Sequence, residues 1–351
     1  MRLRRSCAVL MLALACGSAA ASAAPPRAAV IAKLGGRIRA EPLVGKGGTL
    51  YVASDDGTVR AITPQGATRY VVQTGARVRA TPVLDSAETL YVGTEAGELL
   101  AIEPNGAIRF RTRIGGPIIV PLALAPATSA RKAPLVLVAA DGLYAFGTDG
   151  ARVFHKITPS ALRAAPVVHP RGFAIVGTTY GTLLAVDLDG RTRWQVPAFG
   201  AIECGVAIAS DGAIIAATTL GSVLRFTPDG GLTSAIALPG AIFATPTIAA
   251  DGTIYVGAEN GALYALSGAL DPRWRFATHG PIRASARLAG GGLLVVGSTD
   301  DSIYALGRDG AERFRYNLGS DIDAPAALGP SGTLYVGTDH GTLYALHPHP
   351  P

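Results

Sequence analysis

Charged residues recur in this chain at one fixed place. Arg39, Arg79, Arg163, Glu203, Arg283 and Asp323 occupy a column that repeats every 40 residues, with one step of 44; Ile119 and Phe243 fill its two remaining places. The residue before each member is apolar in all eight copies: Ile38, Val78, Ile118, Leu162, Ile202, Ile242, Ile282, Ile322. The residue after is small in all eight: Ala40, Ala80, Val120, Ala164, Cys204, Ala244, Ala284, Ala324. Alternation of period two puts the charged column on the opposite face of an extended segment from its neighbours. Charges are not left dry and unpaired, so that face must meet water or partners. Arg37, Arg77 and Asp321 extend the column by one alternation. Two chemistries fit. The arginine fork binds carboxylate or phosphate bidentately, so Arg37, Arg39, Arg77 and Arg79 could form a basic mouth. Alternatively, the charges pair among themselves.

Other chemistry is sparse. Cys7 and Cys16 precede the repeats, which leaves Cys204 alone, in the small-residue column. A single cysteine cannot form an internal disulfide, and this position predicts a buried, inert thiol. The histidines His155, His169, His279, His340, His347 and His349 are scattered. No phosphate loop, nucleophile elbow or metalloprotease helix is present. Asp187-Leu188-Asp189-Gly190 has two oxygen donors at calcium-loop spacing but lacks the remaining ligands. Acidic residues Asp55, Asp56, Glu95, Asp141, Glu259, Asp300 and Asp339 sit in Gly-containing hairpin turns, where turn formation and solvation account for them. Hence no residue is assigned a catalytic or metal-ligating role.

The elements that carry the column come from eight copies of one pattern. They end at Ile62, Ile102, Phe146, Val186, Phe226, Leu266, Leu306 and Leu346, and the clearest read GTIYVGAENGALYAL from Gly252 and GTLYVGTDHGTLYAL from Gly332. A period near 40 with four short strand-like runs, each bounded by Gly, Asp, Asn or Pro, predicts an all-β, eight-bladed β-propeller of four-stranded antiparallel blades. The fourth run carries an aromatic, at Tyr70, Phe110, Phe154, Trp194, Trp274 and Phe314, with Ser234 breaking the series; each ring is expected to dock between blades. The last copy lacks its fourth strand; VIAKLGG from Val30 resembles RYNLGS from Arg315, and residues 28–34 are expected to supply the missing strand. That closes the ring and leaves no naked edge between first and last blades. Circular order then sets Asp321 and Asp323 beside Arg37 and Arg39, and the charged column faces a central channel. The third copy is irregular, with the longer stretch APATSARKAP from Ala125.

Residues 1–23 read as a secretion signal: Arg2, Arg4 and Arg5, an apolar run from Ala8 to Ala15, and Ala21-Ser22-Ala23 as the cleavage site. Residues 24–351 then form a single propeller. Cys16 is an alternative end to the signal, as a lipid-attachment cysteine, and membrane contact is expected only in that case. Net charge is +6, falling to about +3 without the signal, which is too small to argue for nucleic acid.

The repeat resembles the PQQ-like, quinoprotein dehydrogenase-like propeller over residues 28–346. The best segment is AVDLDGRTRW, Ala185 to Trp194, similar to that superfamily's tryptophan-docking motif but one residue short. The resemblance offers two branches. PQQ-dependent dehydrogenases are longer and use an adjacent cysteine pair, calcium and an aspartate base; none of these has a counterpart here. Short, secreted, non-enzymatic propellers similar to BamB fit length and signal better. The resemblance therefore implies a non-catalytic, monomeric periplasmic or outer-membrane-associated scaffold for an envelope protein or peptide. A PQQ- and calcium-dependent oxidoreductase, or a small-molecule binder at the channel mouth, is the alternative.

Overall fold

A computed structural model describes residues 27–127 and 133–347. The signal, Cys16, His349 and residues 128–132 of the irregular stretch lie outside the described residues. The described chain folds into eight four-stranded antiparallel sheets. Blades 1 to 7 span residues 43–73, 83–113, 123–157, 167–197, 207–237, 247–277 and 287–317. Blade 8 takes its three inner strands from residues 327–347 and its outer strand from Arg27–Lys33. We letter the strands A to D from the channel outward. Two single-turn 3-10 segments, Lys46–Gly48 and Gly290–Gly292, are the only helical pieces among the described residues.

The closing strand is the predicted one, shifted by a residue. It runs antiparallel to Thr342–His347 and pairs Ala28 with Leu346 and Lys33 with Thr342. Strands A are short, two or three residues each, because the inner ends of eight radial sheets converge. Strands B are buried along their whole length, for example Leu50–Ala53 and Leu334–Gly337, and read as continuous apolar runs, whereas strands C are mostly buried with half-buried positions such as Arg60 and Arg225. Strands D alternate between exposed and half-buried positions.

One hydrogen bond repeats at every blade junction. The backbone N–H of each apolar-column residue donates to a carbonyl in the preceding blade's B–C hairpin: Val78 to Ser54, Ile118 to Thr94, Ile282 to Ala258. The closing junction uses the same bond, Ile38 N–H to Thr338 O at 3.1 Å. The apolar side chain then lies over the end of strand B, which explains the recurring glycine there. A Cβ on Gly337 would stand 2.2 Å from Ile38 Cγ2. Ile38 and its seven counterparts are buried, each burial contributing roughly 1.5–3 kcal/mol.

The aromatic series docks between blades as expected. Trp194 Nε1 donates to Pro228 O and Trp274 Nε1 to Arg308 O, both at 2.9 Å, in the next blade's C–D turn.

Candidate functional site

Links between blades and B–C hairpins emerge at the same end of every sheet, so they build one face of the disc. The eight-membered charged column lies on this face and lines a channel cavity of about 710 Å³. Arg39, Arg79, Ile119, Arg163, Glu203, Phe243, Arg283 and Asp323 all border it. Arg37, Arg77 and Asp321 stand outside the lining.

The arginines are gripped by hairpin carboxylates rather than by their column neighbours. Asp339 in blade 8 pairs with Arg37 at 3.1 Å and Arg39 at 3.3 Å. Arg79 sits between Asp55 of blade 1 and Glu95 of its own blade, at 3.4 and 3.3 Å. Arg283 is held by Glu259 of blade 6 at 2.8 Å. Asp321 and Asp323, expected beside Arg37 and Arg39, make no ion pair with them; the hairpin acids, read from the sequence as solvated turn formers, take that place. Three of the eight junctions follow one logic: an acid on the hairpin of one blade meets an arginine on the link into the next. Asp55 precedes Arg79, Glu259 precedes Arg283, and Asp339 precedes Arg39. Blades whose hairpin offers Thr179, Thr219 or Thr299 precede Glu203, Phe243 and Asp323 instead. That covariation between columns was the signal available in the sequence.

Two arginines escape the pattern. Arg77 and Arg163 are exposed and have no ion-pair partner among the described residues. Blade 3's hairpin is one residue shorter, and its Asp141 accepts from the Tyr144 hydroxyl at 2.8 Å, so Arg163 finds no acid there. Asp323 is also distinctive. Burial, then the charge of Asp339, push its carboxyl above the usual range, against the pull of Arg283 and Arg39. One of its oxygens is buried without a hydrogen-bond partner among the described residues.

Lower in the channel the sequence reading missed an ion pair. Glu41 and Arg287 belong to blades 1 and 7 and meet across the inner strand of blade 8, where Arg287 Nε also donates to Ala326 O at 3.0 Å. Cys204 is buried, its thiol donating weakly to Ala217 O at 3.7 Å and pushed up by burial to about 12. It is an unreactive position at neutral pH.

The same face carries an apolar patch that the sequence pattern did not announce. The tip residue of the B–C hairpin is Asp56, Ala96, Asp141, Asn260, Asp300 or His340 in six blades, but Tyr180 in blade 4 and Leu220 in blade 5. Their exposures are 77% and 72%. Between them, on the link from blade 4 to blade 5, stands Phe199, 65% exposed. Its φ is +54°, in a region where Gly75 and Gly319 serve at the matching position. A bulky residue held there costs on the order of 1–2 kcal/mol, a strain that tends to collect at functional loops.

Fold, repeat and docking tryptophans together define a quinoprotein-type eight-bladed propeller. Within that class, the chain belongs to the family described as outer membrane protein assembly factor BamB, which it matches over residues 55–209 and 179–321. Among solved structures, BamB from Moraxella catarrhalis is similar at a TM-score of 0.77 and 16% identity, covering 92% of this chain and 99% of that one. The computationally designed Ika8 protein is similar at a TM-score of 0.75 and 13% identity, covering 91% and 99%. No curated protein sequence matches this chain.

Proposed function

We propose that this protein is a non-catalytic envelope scaffold that receives a protein or peptide partner on its hairpin face, in the manner of an outer-membrane assembly factor. The observation that carries this reading is the trio Tyr180, Phe199 and Leu220, exposed on three successive loops and in part strained. Apolar anchors at loop tips on a rigid disc suit partner docking. Arg77, Arg163 and Glu203 supply charge with no ion-pair partner among the described residues, whereas Arg37, Arg39, Arg79 and Arg283, with Asp321 and Asp323 nearby, serve mainly to hold blades together. Residues 1–23 carry the chain across the inner membrane, and Cys16, if lipidated, anchors it to a membrane surface.

The channel chemistry favours scaffold over quinoprotein. A flat quinone needs a ring platform, and Phe243 is the one ring among the described lining residues. No cluster of three or more His, Cys, Asp or Glu suited to a metal occurs among the described residues.

Photo-crosslinkers at positions 180 and 220 in living cells should capture one outer-membrane assembly component, and a crosslinker at rim position 313 should not. Tyr180→Ser with Leu220→Ser should abolish the capture with Tm unchanged. Equal capture from the rim would sink the reading. So would saturable, stoichiometric PQQ binding with calcium and dye-linked alcohol or sugar oxidation.

A further inference from the structure

Blade 5 departs from its siblings at three linked positions. In six blades a strand C alanine pairs across the ladder with the strand D aromatic, as Ala185 with Trp194 and Ala265 with Trp274. In blade 5 the pair is Arg225 with Ser234. In five junctions the ring lies over a left-handed glycine of the next C–D turn; a Cβ on Gly230 would stand 2.9 Å from Trp194, and one on Gly310 2.7 Å from Trp274. At the blade 5–6 junction that glycine is Leu270, buried despite a φ of +77°. Leucine thus fills part of the space the missing ring vacates, at the cost of left-handed strain. The rest stays open as a groove of about 490 Å³, walled by Arg225, Thr233, Ser234, Phe226, Pro228 and Gly268. The Arg225 guanidinium lies in it, donating from Nε to Gly268 O at 3.0 Å and pairing with Asp211.

The edge beside this groove is also unlike the others. Seven of the eight outer strands carry a cation, among them Lys33, Arg69, Arg109, Arg152, Arg193, Arg273 and Arg313. Charges on an edge strand block pairing with further chains. Blade 5's outer strand, Leu232–Ala237, reads LTSAIA and has neither charge nor proline. Its outward positions hold Thr233, Ala235 and Ala237 where blade 6 has Arg273, Arg275 and Ala277.

The geometry points to a second docking site, on the rim and independent of the hairpin face: an extended partner segment adds as a fifth strand to Leu232–Ala237 and places an aromatic ring in the groove over Arg225. Strand addition supplies main-chain hydrogen bonds, and the groove reads one side chain. A planar guanidinium is a stacking surface for a ring. Charge complementarity selects the flanks. Arg275, on the neighbouring outer strand, is exposed and has no ion-pair partner among the described residues, and Arg273 lies beside it. The segment is therefore neutral at its centre and acidic at its ends.

The probe is a synthetic seven-residue peptide of Thr and Ile around a central Trp, with Glu at both ends. Amide hydrogen exchange on the full mature chain should show protection confined to 232–237. Replacing the probe's Trp by Ala, or both Glu by Lys, should weaken binding about tenfold each. Thr233→Arg with Ala235→Arg should abolish binding. The triple variant Arg225→Ala, Ser234→Trp, Leu270→Gly rebuilds the junction used elsewhere in the ring; it should keep the wild-type Tm and lose the probe. The proposal is overturned by absence of protection at millimolar probe, by protection elsewhere, or by undiminished binding to either variant. A dimer paired through 232–237 without peptide would overturn it too, in favour of a second copy. None of these results bears on crosslinking from 180 and 220.

Discussion

At the scale of single residues, the charged column performs two jobs that its sequence does not separate. Arg79 and Arg283 are tied to carboxylates of the blade before, whereas Arg77 and Arg163 are exposed and make no ion pair among the described residues. Asp323 stands apart because burial and Asp339 outweigh the two arginines that attract it. Its folded form binds a proton more tightly than its unfolded form. Stability contributed by that proton is therefore full at low pH and is lost as pH rises through the raised value. Asp323→Asn should melt above wild type at pH 7, by about 1–3 °C. The gap should close as pH falls below about 4, where the native aspartate is protonated in both states. Thermal scans across pH test this, and a lower Tm for the variant at pH 7 would refute it.

At the scale of the blade, the junction is the unit that sequence columns describe. A ring, an alanine behind it and a glycine in the next turn form one packing solution; Ser234, Arg225 and Leu270 form another. The three cannot be exchanged singly. Leu270→Gly should cost about 2–4 kcal/mol through the cavity it leaves, less about 1 kcal/mol from relieved backbone strain. Ser234→Trp alone should also destabilise, because its ring would meet the leucine and Arg225. Combined with Arg225→Ala, the two should cost far less than their sum, which urea denaturation of the single and multiple variants would measure. Additive losses would mean that the three columns are not coupled.

At the scale of the disc, stability depends on closure. The outer strand of blade 8 comes from the opposite end of the chain from its three neighbours, and Ile38 locks to Thr338 with the bond used at every other junction. Removing residues through Lys33 would bare the edge of Thr342–His347 and open the ring. That truncation should lose the cooperative thermal transition and aggregate. A circular permutant with residues 27 and 347 joined by a four-residue turn, and new ends within the exposed turn 250–251, should melt within a few degrees of wild type. Measured by circular dichroism, a stable truncation or an unfolded permutant would show that closure is not the controlling contact.

The chain alone determined blade number, strand order, the docking rings, the closing strand and the face of the charged column. Each of these is a local pattern repeated eight times, so period and alternation suffice to read them. Partnership was a different matter. Asp55 and Arg79 are 24 residues apart and Arg39 and Asp339 are 300 apart, and neither segment read alone says which acid an arginine reaches; only the covariation of the two columns hints at it. The meeting of Glu41 with Arg287, the cluster of Tyr180, Phe199 and Leu220, and the groove over Arg225 likewise exist only once the blades stand side by side. The radial packing of the sheets, which brings the hairpin of one blade over the link of the next, decided them.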